Sequence, residues 1–92
     1  MIKSFKHKGI KLFFETGSKA GIQANHASKL ARQLTLLNHA KSPDEMNLPG
    51  WRFHSLSHDL HHHYAIWVDQ NWRLTFTFDG EDAELVDYQD YH

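Results

Sequence analysis

Up to about Ala40 the apolar side chains recur every three or four positions, and after Gly50 they recur every second position. Ile10, Phe13 and Phe14 share one face of a helix predicted from about Lys6, with lysines on its other faces and Gly17 as a stop. Ala27, Leu30, Ala31, Leu34 and Leu37 form the clearest stripe. It predicts an amphipathic helix over 25–40, with Lys29, Arg32 and Gln33 pointing away from the core. Ser42-Pro43-Asp44-Glu45 has the form of a capping box with Pro at the first helical position, and Asn47-Leu48-Pro49-Gly50 should close that single turn. Ile2 to Phe5 is short enough to be an edge strand.

Beyond Gly50, Trp51, Phe53 and Ser55 alternate with Arg52, His54 and Leu56. Tyr64, Ile66 and Val68 alternate with Ala65, Trp67 and Asp69. Trp72, Leu74, Phe76 and Phe78 alternate with Arg73, Thr75 and Thr77 in the cleanest strand. Asp69-Gln70-Asn71 and Asp79-Gly80-Glu81-Asp82 supply turns, and Ala83 to Tyr88 is expected to form a last strand. Helices first and a strand meander afterwards predict an α+β domain, a small antiparallel β-sheet packed on two N-terminal helices. The helices then cover one face and leave the other open.

Length changes this picture little: 92 residues suit a single domain over 1–92, which buries about two-thirds of its unfolded surface. Six Phe, three Trp and three Tyr enlarge that modest core. The absence of Cys excludes disulfides, thiolate zinc sites and thiol catalysis. No long apolar run follows the opening Met1-Ile2-Lys3-Ser4-Phe5-Lys6, so neither a signal peptide nor a membrane span is expected, and a cytoplasmic protein is. A net charge of −1 hides an asymmetry. Residues 1–46 carry eight Lys and Arg against three carboxylates, whereas 47–92 carry only Arg52 and Arg73 against eight. The basic half suits phosphate or simply a solvated helix surface. Nine His add charge near or below about pH 6.5.

If Trp51, Phe53, Trp72, Leu74 and Phe76 face the helices, then Arg52, His54, Leu56, Arg73, Thr75 and Thr77 share the open face. Asp90, Tyr91 and His92 follow just past the last strand. Imidazole, guanidinium, carboxylate and phenol near one another suit RNA cleavage through the 2′-hydroxyl. That reaction needs a base, an acid and a cation at the crowded phosphate. It needs no cofactor and no metal. Which group is base and which is acid does not follow from the residues. Taken singly, His54 reads as a half-buried sheet residue, Arg73 as a cross-strand ion-pair partner and Asp90-Tyr91-His92 as a frayed tail. His58, His61, His62 and His63 with Asp59 are metal-ligand types, but a solvated hairpin turn is the simpler reading.

The opening Met1-Ile2-Lys3-Ser4-Phe5-Lys6-His7-Lys8-Gly9-Ile10-Lys11-Leu12 resembles that of HigB toxins. So do Leu48-Pro49-Gly50 before a strand bearing His54, the Asn71-Trp72-Arg73-Leu74-Thr75-Phe76 strand, and the terminus Asp87-Tyr88-Gln89-Asp90-Tyr91-His92. These segments lie in order over nearly the whole chain. The resemblance implies a microbial-ribonuclease-like RelE fold and a type II toxin that cuts messenger RNA on the ribosome. It also implies silencing by a HigA-type helix-turn-helix antitoxin, with operator DNA reached only through that partner. On matching positions it implies an active-site group of His54, Arg73, Asp90, Tyr91 and His92. Arg73 would sit at the scissile phosphate, with His54, Asp90 and His92 in proton transfer and orientation and Tyr91 at the substrate. One departure stands out: Ser57 occupies the position of the family's active-site lysine, and Leu60 that of an expected arginine. Cleavage that is weak, pH-sensitive or altered in substrate preference is the expectation from that loss. Two other readings remain, a RelE-fold protein acting only through antitoxin and operon binding, and a ParE-like gyrase inhibitor.

Overall fold

The computed structural model describes residues 1–56 and 62–91. Helix α1 (Lys8–Thr16) begins two residues later than the apolar pattern suggests. His7 ends the extended entry and caps the helix, its Nδ1 accepting the Ile10 amide at 3.1 Å. Gly17 stops the helix in the left-handed region (φ 81°), donating its amide to the Phe13 carbonyl. A 3-10 turn (Ala24–His26) leads into α2 (Ala27–His39), and a second 3-10 turn (Pro43–Met46) follows. The expected capping box differs in detail: Ser42 makes no side-chain cap, and the Glu45 carboxylate accepts from the Lys41 amide and the Ser42 hydroxyl. Gly9 and Gly21 touch back to back. A Cβ on Gly9 would lie 2.4 Å from the Gly21 carbonyl oxygen, so the loop after α1 packs this close only without side chains.

Four strands form an antiparallel meander in chain order: β1 (His54–Leu56), β2 (His63–Trp67), β3 (Trp72–Asp79) and β4 (Asp82–Asp90). Residues 2–5 flank β4 through two parallel bridges, Ile2 with Ala83 and Phe5 with Val86, so the expected edge strand is present only as bridges. The helices pack on one sheet face around Ile10, Leu30, Leu34, Leu37, Met46, Ile66, Leu74, Phe76 and Val86, all at most 1% exposed. β4 runs two residues beyond the sequence expectation and carries a bulge. The pairs Thr75–Asp87 and Thr77–Glu84 leave one extra residue on β4, and Leu85 absorbs it at φ 55°. Ala83 and Val86 can thereby both face the core.

Two expectations are corrected. Gln33 does not point away from the core: it is fully buried, and its Nε2 donates to the Trp67 carbonyl at 2.8 Å. It sits on the Leu30–Leu34–Leu37 stripe, and position outweighed polarity. The alternating run from Trp51 is strand only from His54, because Arg52 turns into the left-handed region at φ 50°.

Candidate active site

Cross-strand register fixes which side chains share the uncovered face. One row reads His54, Ala65, Thr75 and Asp87 across the four strands. The adjacent row holds Trp67, Arg73 and Gln89, and Arg52 joins it where the Trp51 carbonyl accepts the Trp67 amide at 2.7 Å. The face is less open at its centre than expected, since Thr75 is 2% exposed.

His54 opens β1, is exposed, and makes a 2.8 Å hydrogen bond between Nδ1 and the Arg52 carbonyl. A carbonyl can only accept, so Nδ1 carries the proton and the neutral ring leaves Nε2 as a bare acceptor. Arg73 lies one row further and two strands away, a separation on the order of 10 Å from strand spacing. Its Nη1 donates to the carbonyls of Asp69 (3.0 Å), Gln70 (3.2 Å) and Trp72 (3.2 Å), leaving its other nitrogens for an anion. The Arg73 guanidinium lies 4.3 Å from the Trp67 ring centre and 5.1 Å from that of Tyr91. Tyr91 is 43% exposed, and its amide donates to the Asn71 carbonyl at 2.6 Å.

The structure thus brings Arg73 and Tyr91 together, with His54 on the same face. Asp90 is placed differently: it pairs with Trp72, and the pleat sets it on the helix side at the end of β4. His92 lies outside the described residues. So do Ser57, Leu60 and the candidate metal-ligand types His58, Asp59 and His61; His62 is exposed and His63 pairs with Thr77 in β2.

On the helix side lies a polar cluster that sequence reasoning missed. His26 is 5% exposed. The Tyr88 hydroxyl donates to its Nδ1 at 2.5 Å, and its Nε2 donates to Asp69 at 2.6 Å. Tyr88 accepts the Gln23 amide at 3.3 Å, while the other Asp69 oxygen accepts the Asn71 and Trp72 amides at 2.8 and 2.9 Å. Desolvation alone would raise the Asp69 pKa, but the hydrogen bonds from His26 and the two amides outweigh it and hold the value below the ordinary one. Burial pushes the Tyr88 hydroxyl above its usual value, against the Gln23 amide, with help from the Asp69 and Asp90 charges. The signal for His26 was present in the sequence, since it lies four residues before Leu30 on the same stripe. These bonds hold the 69–71 turn, and that turn holds both Arg73 and the Tyr91 backbone.

Residues 3–92 match the family model described as RelE-like toxin of type II toxin-antitoxin system HigB. The chain belongs to this family. It is 40% identical to the protein named Endoribonuclease HigB from Proteus vulgaris, over 92 residues that span the whole of both chains. Its fold is also that of the crystal structure of YafQ from E. coli strain BL21(DE3), with a TM-score of 0.61 over 98% of this chain and 93% of that one, at 15% identity. As a HigB-like toxin of a type II system, the chain has an antitoxin as its partner. Among its described residues no helix is long and apolar enough to cross a membrane.

Proposed function

We propose that this HigB-like toxin is an endoribonuclease that cuts ribosome-bound mRNA by attack of a 2′-hydroxyl on the adjacent phosphate, with residues 1–92 acting as one domain. The observation that carries this reading is the exposed His54 ring, whose Nδ1 bond to the Arg52 carbonyl leaves Nε2 as the acceptor of the neutral imidazole on the face that bears the Arg73 guanidinium. His54 is then the general base. It takes the 2′ proton, O2′ bonds to phosphorus, and the P–O5′ bond breaks to leave a 2′,3′-cyclic phosphate and a 5′-hydroxyl. Arg73 stabilises the charge on the phosphate oxygens through forked donors. His92 returns a proton to the leaving O5′, Tyr91 contacts the nucleotide there, and Asp90 orients the terminal residues from the other side of the strand. The Proteus vulgaris relative's name supports the reaction class.

The antitoxin in this reading is of the HigA helix-turn-helix type, contacts operator DNA on behalf of the pair, and acts with the toxin in the cytoplasm, away from any membrane. Expression of the wild type and of His54→Ala, followed by mapping of mRNA ends, tests the reading. The wild type should create 5′-hydroxyl ends within translated codons, and the variant should lose them by about 100-fold or more. Equal cleavage by both removes His54 from the reaction. Growth arrest with intact mRNA would end the nuclease reading.

A further inference from the structure

Residues 47–92 contain just two Lys or Arg side chains among eight carboxylates, and both lie on the same indole. The guanidinium carbons of Arg52 and Arg73 are each 4.3 Å from the Trp67 ring centre. Trp67 belongs to β2, which runs between β1, preceded by Arg52, and β3, which carries Arg73. Among the described residues neither cation is paired with a carboxylate. The ion pairs found among the described residues are Met1 with Asp82 and His26 with Asp69. Asp87, the carboxylate of the neighbouring row, is occupied by the Gln89 side chain and the Tyr88 amide, each at 2.9 Å.

Arg52 reaches this position at a cost, because its backbone is held at φ 50° without being glycine. Such strain is about 1–3 kcal/mol and persists where the surroundings over-determine it. The same left-handed residue aims its carbonyl at His54 and its side chain at Trp67. Stacking on an indole orients a guanidinium without consuming its hydrogen-bond donors.

From this arrangement we infer that Arg52 and Trp67 form a second phosphate subsite for single-stranded RNA, beside the phosphate held at Arg73. The inference rests on the reading that this face receives RNA. Trp67 acts as a spacer, holding each guanidinium carbon 4.3 Å from its ring centre. It keeps the two cations directed at separate phosphates of one strand. A contact of this kind sets register along the strand and carries no base preference.

The test uses a single-stranded RNA oligonucleotide, 2′-O-methylated throughout so that it cannot be cut, both free and as the message on programmed ribosomes. Affinity is measured against salt for the wild type, Arg52→Ala, Arg52→Lys and Trp67→Leu, each checked for an unchanged melting temperature. Arg52→Ala should weaken binding about tenfold for every sequence and reduce the steepness of log K against log salt by about 0.7. Arg52→Lys should keep the slope and lose part of the affinity. Trp67→Leu should weaken binding severalfold with the slope unchanged, since both charges remain. Replacing phosphates one at a time by neutral methylphosphonates should reveal two sensitive positions in the wild type and one in Arg52→Ala.

Wild-type affinity and slope in Arg52→Ala, or the same methylphosphonate pattern in both proteins, overturns the subsite even if natural RNA is cut normally. Failure of the wild type to bind either form of the oligonucleotide overturns it as well. Arg52-dependent binding with natural RNA left intact would instead support the subsite and reject the nuclease reading.

Discussion

Two polar clusters sit on opposite faces of one sheet and share a single turn, yet they are wired in opposite ways. On the helix side, His26, Tyr88 and Asp69 satisfy one another and nearby backbone amides, with His26 almost entirely out of water. On the open side, Arg52, Trp67, Arg73 and Tyr91 stack without a carboxylate partner among the described residues, and His54 is exposed with its Nδ1 bonded to the Arg52 carbonyl. A buried group must find its partners within the fold, because leaving one unmet costs about 1–3 kcal/mol. Exposed donors carry no such demand, so the protein can leave them for a ligand. The 69–71 turn joins both regimes: its Asp69 carboxylate serves His26, and its carbonyls serve Arg73. Hence the helix-side cluster should govern stability, and the open-face cluster activity.

The largest effect should come from the open face. Arg73→Ala is expected to reduce mRNA cleavage by about 10²–10⁴-fold, as loss of a charge-stabilising donor set does at a developing phosphate charge. Its melting temperature should fall only by a few degrees, for the lost bonds to the turn carbonyls. Next in size is His26→Ala, which removes two short hydrogen bonds and strands a buried tyrosine hydroxyl. A destabilisation of about 2–4 kcal/mol is expected. For a domain of this size that lowers the melting temperature by about 10–25 °C. Cleavage by the folded fraction at low temperature should stay within about tenfold of the wild type. A His26→Ala protein that melts normally but cuts 100-fold more slowly would break the division between the faces.

Both helices and the succession of strands along the chain were legible because amphipathic periods survive any tertiary arrangement, whereas the order of the strands within the sheet was not. His54 and Arg73 fell on the open face by alternation, whereas Arg52 reaches it through the left-handed turn that breaks the alternating run. What lay beyond reach depended on register. Trp67 alternates like an ordinary sheet residue, and nothing in its neighbours announces that the turn before β1 and the strand β3 each bring a guanidinium to it. The Arg52 turn carries no Gly or Asn to mark it. Asp90 lies two residues from Tyr88 and so shares its face, but the extra residue at Leu85 hides which face that is. Gln33 was misjudged for the opposite reason, since its spacing placed it on the buried stripe and its polarity argued otherwise, and His26 on the same stripe was passed over.

Gln33 connects the two regions, since it donates from the helix layer to the carbonyl of Trp67 while its own Oε1 is buried without a partner among the described residues. Gln33→Leu removes one hydrogen bond and one unmet acceptor together. The two changes oppose each other, so stability should move by less than about 1 kcal/mol. A loss of several kcal/mol would mean that the bond to Trp67 anchors β2, and so the open-face stack, far more firmly than one exposed-side contact requires.

The smallest effect should be a pH dependence at Asp69. Its side chain is 43% exposed, and Asp69→Asn keeps one acceptor oxygen for the two turn amides while the atom facing His26 becomes an NH2 donor, so the charge and the acceptor toward His26 are lost together. Because the folded state holds the Asp69 pKa below its ordinary value near 3.8, the unfolded chain takes up the proton first as pH falls. The wild type should therefore exceed Asp69→Asn in stability above that value, and the advantage should vanish as pH drops through the lower folded value. Denaturant unfolding of both proteins between about pH 6 and pH 2 measures the gap. A gap that widens toward acid would reverse the sign of the linkage, and the carboxylate would then be a burden that His26 tolerates rather than a charge that its ring and the turn amides hold in place.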